Sequence, residues 1–201
     1  MTVDRAWLAR PALSVAPRLL GAVIASDVDG ERVAVRLTEV EAYEGQDDPA
    51  SHAFRGLTPR TAVMFGPPGY LYCYFTYGMH WCANVVCGPE GSPSAVLLRA
   101  GEVVDGVEVA RDRRRAARSD RELARGPARL CQALAIGRDQ NGHDLRAEPL
   151  TLEPGPPRDD VRRGPRVGLR AAADRPWRFW LPDEATVSAY RPASVRPRRT
   201  T

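Results

Sequence analysis

Short apolar runs and apolar–polar alternation fill most of the 201-residue chain, and helical spacing is confined to a few stretches. Residues 11–20 predict a short helix and residues 22–26 an apolar strand. Asp29-Gly30 is a favourable two-residue hairpin turn, and residues 33–43 return as the second strand. In that strand Val33, Val35, Leu37, Glu39, Glu41 and Tyr43 occupy alternate positions, which a regular strand turns to one face. An apolar, core-facing stripe is therefore expected to end in two carboxylates and a phenol. A polar segment covers residues 44–60, with Pro59 placed to start a short helix through Phe65. Residues 70–77 and 80–87 predict two strands around Gly78, a hairpin with Tyr77-Gly78-Met79-His80 at its tip. A third apolar strand is expected at 94–103, helices at 105–118 and 122–135, and weak strands near 145–152, 166–169 and 178–181. No internal repeat is present. The pattern predicts an α+β fold: one compact domain over residues 1–190, with a curved antiparallel sheet flanked by helices and a projecting β-hairpin. The arginine- and proline-rich end, 191–201, is expected to be disordered.

Composition narrows the class. Hydrophobic residues at 43% and charged residues at 27% belong to an ordinary globular chain. No stretch approaches the roughly 18 consecutive apolar residues of a membrane span, and the first ten residues lack the apolar segment of a secretory signal. A cytoplasmic protein with no membrane partner is expected. Cys73, Cys82, Cys87 and Cys131 form no C-x-x-C pair, and His52, His80 and His143 complete no zinc spacing, so neither a structural metal nor a disulfide framework is expected. The net charge of +4 is a mild bias toward polyanionic partners. More telling is that all 29 basic residues are arginine. Without a lysine, no side-chain amine can form a Schiff base.

Two constellations carry candidate chemistry. The first is Thr38-Glu-Val-Glu-Ala-Tyr43 and the polar residues after it. A carboxylate at a core-facing position is costly to ionise unless a positive partner or water offsets its burial. Such a glutamate is more often half of a buried ion pair than a catalyst. The second is the tyrosine-rich hairpin, where Tyr70, Tyr72 and Tyr74 share a face and Tyr77 stands at the turn. Tyrosines in strands are usually sheet packing. A Tyr-Gly-Met tip at an exposed turn is harder to explain that way and fits an interaction wedge.

Several linked motifs in these segments resemble the alkyladenine (3-methyladenine) DNA glycosylase family. They are T-E-V-E-A-Y-x-G-x-x-D-x-A-S-H from Thr38 to His52, T-P-R from Thr58, Y-x-Y-x-x-Y-G-M from Tyr72, C-x-N at Cys82 to Asn84, and L-L-R at Leu97 to Arg99. G-P-x-R-L-C-Q-A-L from Gly126 and R-V-G from Arg166 extend the similarity over about residues 11–188. The resemblance implies a monofunctional DNA glycosylase of base excision repair. It would flip damaged purines from double-stranded DNA and leave an abasic site, as a monomer needing no cofactor, in the cytoplasm at the nucleoid.

The same resemblance implies roles. Glu41 would activate the attacking water, with Arg99 and the backbone carbonyl of Val167 positioning it. Tyr43 would stack on one face of the flipped base, and His52 and Tyr74 on the other. Asn84 would line the base pocket and discourage undamaged guanine. Tyr77, with Met79 and His80 beside it, would form the wedge in the minor groove. Arg129 is a candidate phosphate contact, whereas Arg111, Arg113, Arg114, Arg115 and Arg118 read as a solvated helix face. Two positions depart from the family: Thr61, where asparagine is frequent, and His80, at a variable and often aromatic site. A lesion-sensing domain without activity and an RNA- or nucleotide-directed N-glycosidase are the competing readings. The complete Glu41, Arg99, Tyr43, His52 and Tyr74 set and the Tyr77 tip argue against them.

The missing lysines make one outcome testable. Excision should leave the strand intact until alkali or an abasic-site nuclease is added, and borohydride should trap no covalent protein–DNA adduct during turnover. An adduct that still forms after the N-terminal amine is blocked would contradict hydrolysis by water, since the chain has no other amine to form an imine.

Overall fold

The computed structural model describes residues 3–193. Its elements in chain order are α1 (Arg5–Leu8), α2 (Ala12–Leu19), β1 (Val23–Ser26), β2 (Val33–Tyr43), β3 (Leu71–Thr76), β4 (His80–Cys87), β5 (Ser94–Asp105), α3 (Val107–Arg113), α4 (Pro127–Ala133), β6 (Arg146–Ala147), β7 (Leu150–Glu153), β8 (Arg162–Gly164) and β9 (Arg178–Trp180). The strands form one curled, wholly antiparallel sheet in the order β3-β4-β5-β2-β1-β7-β6. β8 and β9 attach through a β9–β2 pairing. The long strand β2 thus has two neighbours on one edge in succession: β1 along Val33–Arg36 and β9 along Glu39–Glu41. The expected α+β class and single domain are observed. From residue 194 on, the segment expected to be disordered lies outside the described residues.

One face of the sheet carries the main core. In α2, Ala12, Val15, Ala16 and Leu19 recur at i, i+3, i+4 and i+7, and this buried stripe packs against β2. α4 begins with Gly126-Pro127, which suits a helix start, and buries Leu130, Cys131 and Ala133 over β4 and β5. Opposite them on the sheet lie Leu71, Cys73, Ala83, Val85, Val96 and Leu98. The other face holds a smaller cluster of Ala53, Met64, Tyr72, Val86 and Ala95.

The expected single-faced stripe on β2 is corrected by a change of phase. Val33, Val35 and Leu37 belong to the main core, but beyond them the core members are Val40 and Ala42. The ladder with β5 pairs Leu37 with Gly101, Glu39 with Ala100 and Val40 with Leu98, leaving Thr38 and Arg99 as extra residues at successive register shifts. An extra residue in a period-2 strand sends every later side chain to the opposite face. Glu39, Glu41 and Tyr43 therefore point away from the main core, together with Tyr72 and Ala95. Gly101 is where the two strands cross most tightly, since a Cβ there would meet Val35 Cγ1 at 2.3 Å and the Arg36 carbonyl oxygen at 2.5 Å.

Elsewhere the ends differ from expectation for local reasons. The helix expected at 105–118 starts only after Gly106, which has φ +68° and would place a Cβ 2.0 Å from the Arg32 carbonyl oxygen. The helix expected at 122–135 starts after Gly126, with a 3-10 turn at Asp120–Glu122 upstream. Residues 166–169 form no strand. The Val167 and Gly168 amides donate to the Glu41 side chain and to the Arg191 carbonyl instead of a ladder. Among the described residues no helix is long and apolar enough to cross a membrane.

Candidate active site

The strand register assembles the site on the smaller face of the sheet. Glu41 pairs with Leu97, Leu97 with Asn84, and Asn84 with Tyr72, so one row crosses β2, β5, β4 and β3. Next to it, Tyr43 pairs with Ala95 and Ala95 with Val86.

Both carboxylates of β2 are fully buried. Glu39 Oε1 accepts from Arg99 Nε at 2.9 Å, Arg178 Nε at 2.7 Å and Ser188 Oγ at 2.9 Å, while Oε2 accepts from the Ser188 amide at 2.7 Å. Glu41 is held more sparingly. Its Oε1 accepts from the Val167 amide at 2.7 Å and faces Arg99 Nη1 at 3.3 Å, and its Oε2 accepts from the Tyr43 hydroxyl at 2.9 Å. Two carboxylates thus meet two guanidinium groups in one buried cluster. Taking each ion out of water costs several kcal/mol, which only this degree of pairing and hydrogen bonding can offset. Burial works against the Arg99 charge, but Glu41 and Glu39 outweigh it and raise its pKa further. Burial, then the Glu41 charge, pushes the Tyr43 phenol well up, so it is a neutral donor.

An aromatic pocket of about 90 Å³ opens beside this cluster, lined by Tyr43, His52, Met64, Tyr72, Tyr74 and Asn84 with Ala50, Ser51, Ala95 and Leu169. His52 lies edge-on to Tyr74, with ring centroids 4.5 Å apart and planes at 85°, and its Nδ1 is 3.1 Å from the Tyr72 hydroxyl. Asn84 is buried, and its Nδ2 donates to the Tyr72 carbonyl at 3.1 Å. Burial raises the pKa of both Tyr72 and Tyr74. His52 as a residue is exposed, but the packing of its ring against these tyrosines, and secondarily the Arg60 charge, lowers its pKa to about 4. At neutral pH every pocket ring is uncharged.

On the other side of Glu41 lies a cleft of about 410 Å³, lined by Arg99, Glu122, Arg125, Arg129, Val167, Ser188, Ala189 and Arg191. The hairpin tip stands apart. Tyr77 is 86% and Met79 69% exposed, and His80 is exposed beside them. Tyr77 has φ +52° and Gly78 φ +68°, with the Met79 amide donating to the Thr76 carbonyl at 3.2 Å, so the turn needs two positive φ values in a row. A tyrosine held there carries strain on the order of 1 kcal/mol or more.

A methylpurine-DNA glycosylase family model matches residues 6–185. Similar proteins include those of Streptomyces avermitilis, 54% identical over 98% of this chain and 96% of its own length, and of Frankia casuarinae, 55% identical over 94% and 92%. The Nocardia farcinica relative is 54% identical over 92% and 89%. All three bear the name "Putative 3-methyladenine DNA glycosylase". The chain belongs to the methylpurine-DNA glycosylase family. It is a DNA repair enzyme, a hydrolase of N-glycosyl bonds acting on DNA.

In this glycosylase the residues singled out from sequence fall into four places. Glu41, Arg99, Tyr43 and Val167 form one network, which Val167 joins through its amide. His52, Tyr74 and Asn84 share the pocket with Tyr43, while Tyr77, Met79 and His80 sit at the distant tip. Arg129 is exposed at the cleft. Thr61 makes its own local bonds, its Oγ1 accepting from the Thr58 amide at 2.9 Å and donating to the Gly56 carbonyl at 3.2 Å.

Other contributors were not evident from the sequence. Arg178 and Ser188 anchor Glu39, Asp48 pairs with Arg166, and Tyr72, Met64 and Leu169 line the pocket. Arg178 and Ser188 lie 139 and 149 residues from Glu39, and no local pattern encodes such contacts. The arginine cluster is only partly a solvated face. Arg113 donates to the Ala133 carbonyl at 3.0 Å, and buried Arg114 donates to Gln132 Oε1 at 2.7 Å, so both tie α3 to α4.

The lowered His52 value has a measurable consequence. Its folded pKa lies below the ordinary value of 6.5, so its contribution to stability is complete above pH 6.5 and lost as pH falls to about 4. In an NMR titration the His52 ring should titrate near pH 4, and His52→Gln should flatten the acid loss of stability across that window. A His52 midpoint at or above its ordinary value would show that the ring is not packed as described.

Proposed function

We propose that this glycosylase flips an alkylated purine out of double-stranded DNA and hydrolyses its N-glycosidic bond with a water activated by Glu41, leaving an abasic site without cutting the strand. It acts as a monomer, on nucleoid DNA in the cytoplasm. The observation that carries the reading is the placement of Tyr43: its ring lines the pocket while its hydroxyl donates to Glu41. A base stacked on that ring brings its glycosidic bond toward the carboxylate. Glu41 accepts two hydrogen bonds, from the Val167 amide and the Tyr43 hydroxyl, and faces Arg99 across 3.3 Å, which leaves acceptor capacity for a water. A cationic alkylpurine is already a good leaving group, so an oriented water and a nearby carboxylate suffice, as in inverting glycoside hydrolysis.

The rest of the site supports this. Tyr43, His52 and Tyr74 are neutral rings that can stack on a cationic base without repelling it, and such stacking contributes roughly 1–3 kcal/mol. Asn84 offers the pocket a buried amide beside them. Flipping costs a few kcal/mol, and Tyr77, flanked by Met79 and His80, offsets part of it by filling the gap in the stack. Its strained turn aims a large ring into solvent, where packing gives no reason for one. Arg129, at the cleft that reaches Arg99, contacts a backbone phosphate.

Glu41→Gln preserves the shape but cannot accept the proton of water. Single-turnover excision should drop by at least about two decades while lesion binding is largely kept. Near-normal excision by this variant would move the role to another group, and Glu39 would be the first to examine. Tyr77→Ala should weaken excision from duplex DNA more than from single strands, where the base is already unstacked. Equal losses on the two substrates would refute the wedge.

A further inference from the structure

Arg166 is fully buried and does not line the base pocket, yet its guanidinium carbon lies 4.6 Å from the centroid of the Tyr43 ring. It therefore stands behind the face of Tyr43 that is turned away from the pocket. Trp177 covers it from another side at 5.0 Å. Its Nη1 donates to the Ala42 carbonyl at 3.0 Å, and Nη1 and Nη2 together grip the fully buried Asp48 carboxylate, with Nη2 at 2.9 Å. Asp48 is itself fixed by the Ala50 amide at 3.1 Å, and Arg175 reaches it only at 3.9 Å. Arg166 Nε is a buried nitrogen with no hydrogen-bond partner.

We propose that the Arg166–Asp48 pair sets the charge selectivity of the base pocket by acting on the ring of Tyr43 from behind. This rests on the reading that Tyr43 stacks on the damaged base. The face of a phenol attracts cations through its electron density. Glu41 accepts a hydrogen bond from the Tyr43 hydroxyl and enriches the ring, while Arg166 draws on the same density and repels a second cation across it. Asp48 limits that repulsion by neutralising Arg166. The pair thus tunes how strongly the ring prefers a cationic base over a neutral one of the same shape, and it is a specificity-determining contact one layer behind the pocket wall. Arg166 also precedes Val167, whose amide holds Glu41, so one anchored side chain places both the ring and that amide.

The test compares the binding of two uncleavable lesions in one duplex sequence. One is a 2′-fluorinated N7-methylguanine nucleotide, which is cationic; the other is its neutral 7-deaza counterpart. The readout is the ratio of their dissociation constants, because a general loss of structure weakens both equally and leaves the ratio unchanged. Asp48→Asn keeps the acceptor for Ala50 but frees the Arg166 charge, and should shift the ratio against the cationic lesion by about threefold or more. Arg166→Met combined with Asp48→Asn removes both charges and should shift it in favour of the cationic lesion, past the wild type. Arg166→Lys keeps the charge and should stay near the wild-type ratio. If the double variant does not fold, Asp48→Asn against wild type decides alone. A ratio that is unmoved, or moves in the reverse order, on lesion-selective binding overturns this proposal and leaves the glycosylase mechanism standing. Wild-type protein that binds neither lesion better than undamaged duplex would bring down both.

Discussion

Two carboxylates fully buried on one strand, with a single residue between them, constrain everything around them. Neither can keep its charge in that interior without compensation, since desolvation costs several kcal/mol per ion. Compensation comes from Arg99 and Arg178, from the Ser188 amide and hydroxyl, and from the Val167 amide and Tyr43 hydroxyl. Apart from Tyr43, on β2 itself, these groups lie on β5, on β9 and on two loops toward the end of the described chain. The folding of the last third of the domain onto β2 is thus the same event as completing the site. Removing one partner from such a cluster leaves a buried charge exposed to apolar surroundings, on the order of 3–5 kcal/mol.

The two carboxylates are treated differently, and the difference has chemical meaning. Glu39 has both oxygens committed, to two arginines and Ser188, and serves as an anchor that aims Arg99. Glu41 is held by fewer contacts and lies between the aromatic pocket and the arginine-lined cleft. The aromatic pocket adds neutral rings to a charged neighbourhood.

The paired register shifts at Thr38 and Arg99 join fold to site. Before them β2 sends its odd positions into the core, and after them its even positions, so one strand can build the core at one end and carry the candidate site at the other. The shift also explains how a run of alternating residues reads as a single stripe in sequence and still delivers two carboxylates and a tyrosine to the opposite face.

Much was legible in the sequence by itself, because the signals are local. Apolar alternation marked β2 and the β3–β4 hairpin close to their observed ends, and Gly78 marked the tip. The linked motifs around Glu41, His52, Tyr74, Tyr77 and Arg99 pointed to the family that the whole-chain matches establish. The lysine count alone bears on the reaction product. Only the tertiary structure decided which face Glu39 and Glu41 occupy, since the bulge at Thr38 forms against a strand about 60 residues away, and the passage of the apolar positions from Leu37 to Val40 and Ala42 does not by itself fix it. It alone joined Arg166 to Asp48 and Arg178 to Glu39, pairs separated by 118 and 139 residues. It alone turned the Val167 amide toward Glu41. Buried charge is satisfied by whatever the fold brings near, and that proximity is a property of the packed chain.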